Sequence, residues 1–228
     1  MMKKLAITLS FFLTLHAIFA QQLKVVQDFG VWTVIDIEKD FGKNFRLNLE
    51  QQLRLHTNAT KLDDYIIDAG VKYKLNKNFS LGANLRYTYD NKRWRSPEND
   101  YRYNLDLIYK GKLTDKLSIG YRLRHQHEYV DIFQANSQHK RNFYGIRNRV
   151  QMKYKLDKKN EMFFSFEMFR LIETYREPYF NKFRLYIGDE FKTKKYGKIA
   201  LSFGYEQELN DIYPLSFYFV KTNYTFRL

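Results

Sequence analysis

The chain of 228 residues carries 39 Lys and Arg against 25 Asp and Glu, a formal net charge of +14. It contains no cysteine, which excludes disulfides and thiolate metal centres. Aromatic residues make up 18% and charged residues 28%, and beyond residue 20 no apolar run approaches the roughly 18–20 residues of a membrane-spanning helix, so any membrane crossing would fall to strands.

The first element is "MMKKLAITLSFFLTLHAIFAQQ": Lys3 and Lys4, an apolar run from Leu5, then Ala20 before Gln21. This is the order of a secretory signal peptide, with cleavage expected between Ala20 and Gln21. Ile18 meets the small-x-small rule only by half, and a membrane anchor is the competing reading, although the stretch is short and contains His16. No cysteine follows, so a lipoprotein signal is excluded. The expected organisation is a signal peptide, 1–20, and one barrel domain, 21–228.

From there the dominant period is two. Residues 25–37 ("VVQDFGVWTVIDI") form a strand-like pattern. Residues 45–55 place Phe45, Leu47, Leu49, Leu53 and Leu55 on one face and Arg46, Glu50 and Arg54 on the other. Residues 79–89 set Phe79, Leu81, Ala83, Leu85, Tyr87 and Tyr89 against Ser80, Gly82, Asn84, Arg86 and Thr88. The alternation recurs in 65–75, 101–113, 117–123, 144–156, 162–168, 183–191, 199–209 and 217–228. Many runs are about twice as long as the usual soluble strand of roughly 5–6 residues.

Two kinds of connection alternate. One is short and basic: "KDFGKN" (39–44), "NKN" (76–78), "TDK" (114–116), "DKKNE" (157–161) and "KTKKYGK" (192–198). The other is longer, near 57–62, 90–100, 130–140, 171–180 and 210–216, and takes Pro97, Pro178 and Pro214, which cannot donate to a ladder. Tyrosines gather near strand ends (Tyr73, Tyr87, Tyr89, Tyr101, Tyr103, Tyr109, Tyr154, Tyr218), where one side of a ring favours hydrocarbon and the other headgroups. Strands of this length, tilted, rise about 25 Å, and short turns opposite long loops are the asymmetry of an outer-membrane barrel. The expected fold is therefore all-β, an up-and-down antiparallel transmembrane β-barrel of about 10–12 strands. Ten strands follow residue 44, and 25–37 is an eleventh pattern. Because single-chain bacterial barrels have even strand numbers, the N-terminal segment is expected either to supply two strands or to lie within or across a ten-stranded barrel. A secreted soluble β-sandwich binding module is the alternative, since alternation alone does not say which face points inward.

The run "FVKTNYTFRL" (219–228) alternates to the last residue. It is expected to be the closing strand, with Tyr224, Phe226 and Leu228 facing lipid and serving as the signal for the barrel-insertion machinery. The usual terminal residue of such signals is phenylalanine, from which Leu228 departs. The early "FGVWTVIDIEKDFGKNFRLNLEQQLRL" (29–55) and the hairpin "YKLNKNFSLGANLRY" (73–87) resemble a family of Gram-negative outer-membrane barrels, the domain of unknown function 2490. The resemblance implies the outer membrane of a Gram-negative bacterium, reached through the periplasm, and brings no catalytic residues with it.

If the apolar face meets lipid, the other face lines a charged interior: Arg46, Glu50 and Arg54; Arg102, Asp106 and Lys110; Arg122, Arg124 and Glu128; Arg147, Arg149 and Lys153; Glu206 and Glu208. Bidentate arginine–carboxylate pairs would fill a narrow lumen; the competing reading is a small pore favouring anions. His125 and His127 share a face expected to point outward near the loop rim, and two ligands without a third make a poor metal site. An outer-membrane lipid hydrolase is the enzymatic alternative. Only Ser137 lies near a histidine, His139, in a loop, and no Gly-x-Ser-x-Gly elbow occurs. The expectation is no catalytic residues, no metal and no cofactor. In "DNKRWRSPEND" (90–100), Lys92, Arg93, Trp94 and Arg95 combine charge and an aromatic ring. On a barrel this suits contact with outer-membrane lipid and lipopolysaccharide phosphates rather than nucleic acid.

Overall fold

A computed structural model describes residues 25–91, 96–130, 141–173, 176–193 and 197–228. The signal-peptide residues with Ala20 and Gln21, the basic loop residues Lys92, Arg93, Trp94 and Arg95, and the Ser137/His139 pair lie outside the described residues.

Among the described residues eleven strands follow in order: β1 (Val26–Phe41), β2 (Phe45–His56), β3 (Lys61–Lys74), β4 (Phe79–Asp90), β5 (Glu98–Lys112), β6 (Leu117–Val130), β7 (Arg141–Lys155), β8 (Asn160–Glu173), β9 (Arg176–Lys192), β10 (Lys198–Glu208) and β11 (Leu215–Arg227). Each pairs with its sequence neighbour, and β1 closes on β11. A single closed sheet overturns the β-sandwich alternative, because a sandwich needs two sheets and open edges.

The closure corrects the expected topology in one respect. Ten pairings are antiparallel, but β1 and β11 pair in parallel, from Val26↔Leu215 to Glu38↔Arg227. The N-terminal segment therefore neither supplies two strands nor crosses the lumen. It is one strand in the ring, and an odd number of up-and-down strands forces the first and last to run the same way. Val26 and Leu215 thus share the long-loop mouth, where the Val26 amide donates to the Pro214 carbonyl at 3.1 Å. At the other mouth the Leu228 amide donates to the Glu38 carbonyl at 2.8 Å.

A second tie holds β1 in place. The β2–β3 turn runs through Thr57, Asn58 and Ala59, all left-handed with φ of 53°, 55° and 62°. That conformation is costly for residues with a Cβ and needs outside support. Asp28 of β1 supplies it: its carboxylate accepts the Thr57 and Asn58 amides at 2.8 and 3.0 Å.

The short turns repeat one device. In the β3–β4 turn the Asn76 side chain accepts the Asn78 and Phe79 amides, each at 2.9 Å. Thr114 accepts from Lys116 and Leu117 in the β5–β6 turn. Asp157 accepts from Lys159 and Asn160 in the β7–β8 turn, and these amides hold its carboxyl below the usual range. A side chain that mimics a backbone acceptor fixes the turn, and with it the hairpin register.

At the opposite end the structure corrects one expected loop. Strands β8 and β9 reach Glu173 and Arg176, so 171–180 is mostly strand, whereas 57–60 form the β2–β3 turn and β3 begins at Lys61. Pro178 lies inside β9, where the register to β8 slips between Leu171↔Tyr179 and Glu173↔Arg176. A bulge is the position in a ladder that tolerates proline's missing donor. Strands of 11 to 17 residues result.

Candidate functional site

Side chains alternate around the ring, and the apolar face points outward. Leu47, Leu49, Leu53, Leu85, Leu105, Leu107, Leu201 and Phe203 are all exposed, Leu85 at 70%. Aromatic rings bound this band: Phe45–Tyr73 and Phe79–Tyr109 lie toward the short turns, with centroids 4.8 and 5.2 Å apart. Tyr87–Tyr101 and Tyr205–Tyr218 lie toward the loops, at 5.4 and 4.9 Å. Polar groups on the outer wall meet tyrosine hydroxyls: Gln51 donates to Tyr65 at 2.9 Å, and Tyr121 donates to Asn148 at 2.6 Å. His127 stacks on Tyr144 with centroids 4.0 Å apart, and its Nδ1 lies 3.0 and 3.1 Å from the Tyr129 and Tyr103 hydroxyls. His125 and His127 thus belong to an outward tyrosine cluster. Among the described residues no group of three or more His, Asp or Glu could hold a metal ion. Across the strands, His125 faces Leu105 and Ile146, and His127 faces Tyr103 and Tyr144, so neither meets a serine there.

The inward face is charged. A cavity of about 580 Å³ occupies the lumen, and ten of the fourteen charges expected inside line it: Arg46, Glu50, Arg54, Arg102, Asp106, Arg122, Arg124, Glu128, Arg147 and Arg149. Glu206 points inward but is taken up by Arg184 and Lys182, at 2.6 Å from Arg184 Nε and 3.1 Å from Lys182 Nζ. Glu208 caps the loop end of β10, accepting the Leu215 amide at 2.9 Å.

Most cations find carboxylates. Arg124 grips Asp106 with two bonds of 2.7 and 2.8 Å. Glu167, fully buried, takes Arg122 at 2.7 Å and Arg147 at 3.0 Å. Arg86 reaches Asp68 at 2.7 Å, Arg54 reaches Asp64 at 2.9 Å, and Arg102 pairs with Glu128. Burying so many ions is tolerable only because partners satisfy them, and removing either partner would strand a charge.

Aromatic rings at the parallel seam complete the filling, and no charge pattern in the sequence signalled them. Trp32 stacks on Phe219 with centroids 3.7 Å apart, and Phe217 lies 5.7 Å from Phe219. All three are buried inside the ring. The Phe217 ring occupies the space a Cβ on Gly30 would need, and the Phe219 ring does the same at Gly204, so both strands must carry glycine there. Arg54 and Arg184 lie over Trp32, 4.2 and 4.8 Å from its centroid. Arg147 and Arg184 lie over Phe169 at 4.3 and 5.1 Å. Guanidinium groups and rings thus alternate across the lumen from β2 to β7, each contact contributing on the order of 0.5–2 kcal/mol. The arrangement narrows the lumen beside the chamber, which has an excess of cations.

On the outer surface Val220, Tyr224, Phe226 and Leu228 lie on the face opposite Phe217 and Phe219, and Tyr224 and Phe226 pack edge to face with centroids 4.0 Å apart. A search among curated proteins finds no match. A family model does match, over residues 29–211, which take in β1 through β10 and the start of the β10–β11 loop. The chain belongs to the family described as protein of unknown function, DUF2490.

Proposed function

We propose that this protein is an integral outer-membrane β-barrel of a Gram-negative bacterium, exported by a signal peptide cleaved between Ala20 and Gln21. Its short turns face the periplasm and its longer loops the cell surface. The observation that carries the reading is the inverted wall: exposed aliphatic side chains circle the barrel between two aromatic levels, while ion pairs fill the inside. In water that wall would be an apolar patch far larger than the few hundred Å² a monomer normally shows. In hydrocarbon it is the favoured surface, and a closed ring leaves no unpaired strand edge.

Within this reading the protein is a narrow, anion-favouring barrel rather than an enzyme. Cations exceed carboxylates around the chamber, and the Arg54–Trp32–Arg184 layer constricts it. Tyr224, Phe226 and Leu228 present the terminal signal to the insertion machinery, and Lys92, Arg93, Trp94 and Arg95 meet lipopolysaccharide phosphates. Two experiments test the proposal on the refolded protein. A folded barrel should migrate differently on a gel before and after boiling and should resist carbonate extraction from membranes. In a planar bilayer with a salt gradient it should conduct weakly, with a reversal potential favouring anions. A protein that dissolves without detergent and shows no heat-modifiable band would overturn the membrane reading. Cation selectivity, or a large open conductance, would overturn the account of the lumen.

A further inference from the structure

The charged lumen is balanced in its loop half and unbalanced in its short-turn half. Lys72 on β3, Lys110 on β5 and Arg149 on β7 face inward, and none has an ion-pair partner among the described residues. Of the carboxylates acting on Lys72, Glu38 and Asp106 are already engaged, and Asp36 of β1 lines the same cavity. Glu38 holds Arg46 at 2.9 Å and Arg227 at 3.0 Å, and Asp106 holds Arg124. The charges acting most strongly on Lys110 are Lys72, Lys153, Lys198 and Arg149, all cations. Lys153 and Lys198 share one acid, Glu190, at 3.1 and 3.0 Å. Asp36 and Glu167 also act on these cations, but positive charges remain in excess there and repel one another, and an anion that joins them relieves the repulsion.

A second observation gives that anion room. Inward glycines elsewhere in the wall are covered by a neighbour: Phe217 covers Gly30, Phe219 covers Gly204, Asn84 and Asn48 cover Gly70, and Gln126 covers Gly145. Gly120 of β6 is different. A Cβ there would meet nothing closer than backbone oxygens at 3.7 and 3.9 Å, so no side chain fills the space. Gly120 stands directly opposite Lys110 on one side and Gln151 on the other, and Lys153 pairs with Ser118 two residues away. Glycine weakens a strand interior, and one left uncovered leaves room for a ligand to approach the wall. Lys72 and Arg149 line the cavity, as does Ile108, the inward neighbour of Lys110.

We propose that Lys72, Lys110 and Arg149 form a lumenal oxyanion site, with Gly120 leaving the volume the ligand occupies, for the phosphate group of a small soluble molecule. Phosphate fits the chemistry because its doubly charged form offers several acceptor oxygens to ammonium and guanidinium donors arriving from three strands. The strand wall separates this space from lipid, so the ligand is a solute and not a headgroup. The site rests on the barrel reading and adds to it a resting place for the anion.

The test uses the full mature chain refolded in detergent, with the heat-modifiable band as the check on folding. Inorganic phosphate and glycerol 3-phosphate are each titrated calorimetrically in chloride buffer. Saturable binding is expected, weakened at least tenfold in the double variant K72Q/K110Q. Gly120→Val should weaken it comparably without removing any charge, since its side chain enters open space and leaves the fold intact. Lys158→Gln, in the exposed β7–β8 turn, should leave binding unchanged. Tighter binding of the ester would identify a phosphorylated solute, and equal or weaker binding would identify the free anion. Heat-modifiable protein that binds neither probe, or binding that survives both the double variant and Gly120→Val, overturns the site. Loss of the heat-modifiable band in the unaltered chain would refute the barrel itself instead.

Discussion

Leu105 and Leu113 are nearly equally exposed, at 52% and 58%, yet the two should respond very differently to arginine. Leu105 lies on the outer face of β5, midway between Tyr101 and Tyr109, which belong to the two aromatic levels. Leu113 lies just past the end of the same strand, in the short turn. Eight residues at about 3.3 Å, tilted by roughly 35–45°, separate them by about 20 Å of depth. Arginine at the middle of a bilayer costs a barrel about 2–4 kcal/mol and near the interface about 0–1 kcal/mol. The ratio of folded to unfolded protein should therefore fall about 30- to 900-fold for Leu105→Arg, since about 1.4 kcal/mol is tenfold. For Leu113→Arg it should fall less than about tenfold. Guanidinium titration in lipid vesicles, followed by tryptophan fluorescence, measures both. If the protein lived in water, both changes would be ordinary surface substitutions within about 0.5 kcal/mol. Equal small effects at the two positions would refute the assignment of the outer wall to lipid.

Glu167→Gln should destabilise the barrel by about 3–5 kcal/mol, because Arg122 and Arg147 both lose their shared carboxylate. In a double-mutant cycle Arg147→Met should recover part of that loss, whereas additive losses would show that the pair is not coupled. Trp32→Ala removes a buried ring stacked on Phe219 and held between two guanidinium groups. It should cost about 3–5 kcal/mol and raise single-channel conductance severalfold, and an unchanged conductance would mean that the ring layer does not limit the lumen. An epitope joined ahead of Val25 should be reached by antibody on intact cells, because Val26 enters at the long-loop mouth. An epitope following Leu228 should require permeabilised cells, and the reverse pattern would invert the proposed orientation.

What the sequence could and could not show follows from the range of each interaction. The period-two alternation in 45–55 or 79–89 is local, so it marked the strands and separated their two faces; Arg46, Glu50 and Arg54 line the cavity and Leu47, Leu49 and Leu53 are exposed. The turns at Asn76, Thr114 and Asp157 were legible for the same reason, since each is stabilised by amides two and three residues ahead. Strand ends on the loop side were not: beyond the upper aromatic level both faces turn polar, and the alternation that marks a strand fades while its hydrogen bonds continue. Closure was out of reach too. The pairing of Val26 with Leu215 joins the two ends of the chain, and an even, fully antiparallel ring and an odd one with a parallel seam carry the same alternating pattern. Asp28 beneath the left-handed β2–β3 turn and the parallel ladder to β11 decide the question in three dimensions. The same holds inside the lumen. The sequence by itself determined which charges share a face, because that depends only on parity along a strand, while the closed sheet decided that this face points inward. Which of them neutralise one another, and that Lys72, Lys110 and Arg149 are left over beside an uncovered glycine, depends on how neighbouring strands are staggered around the ring, and only the tertiary structure decided it.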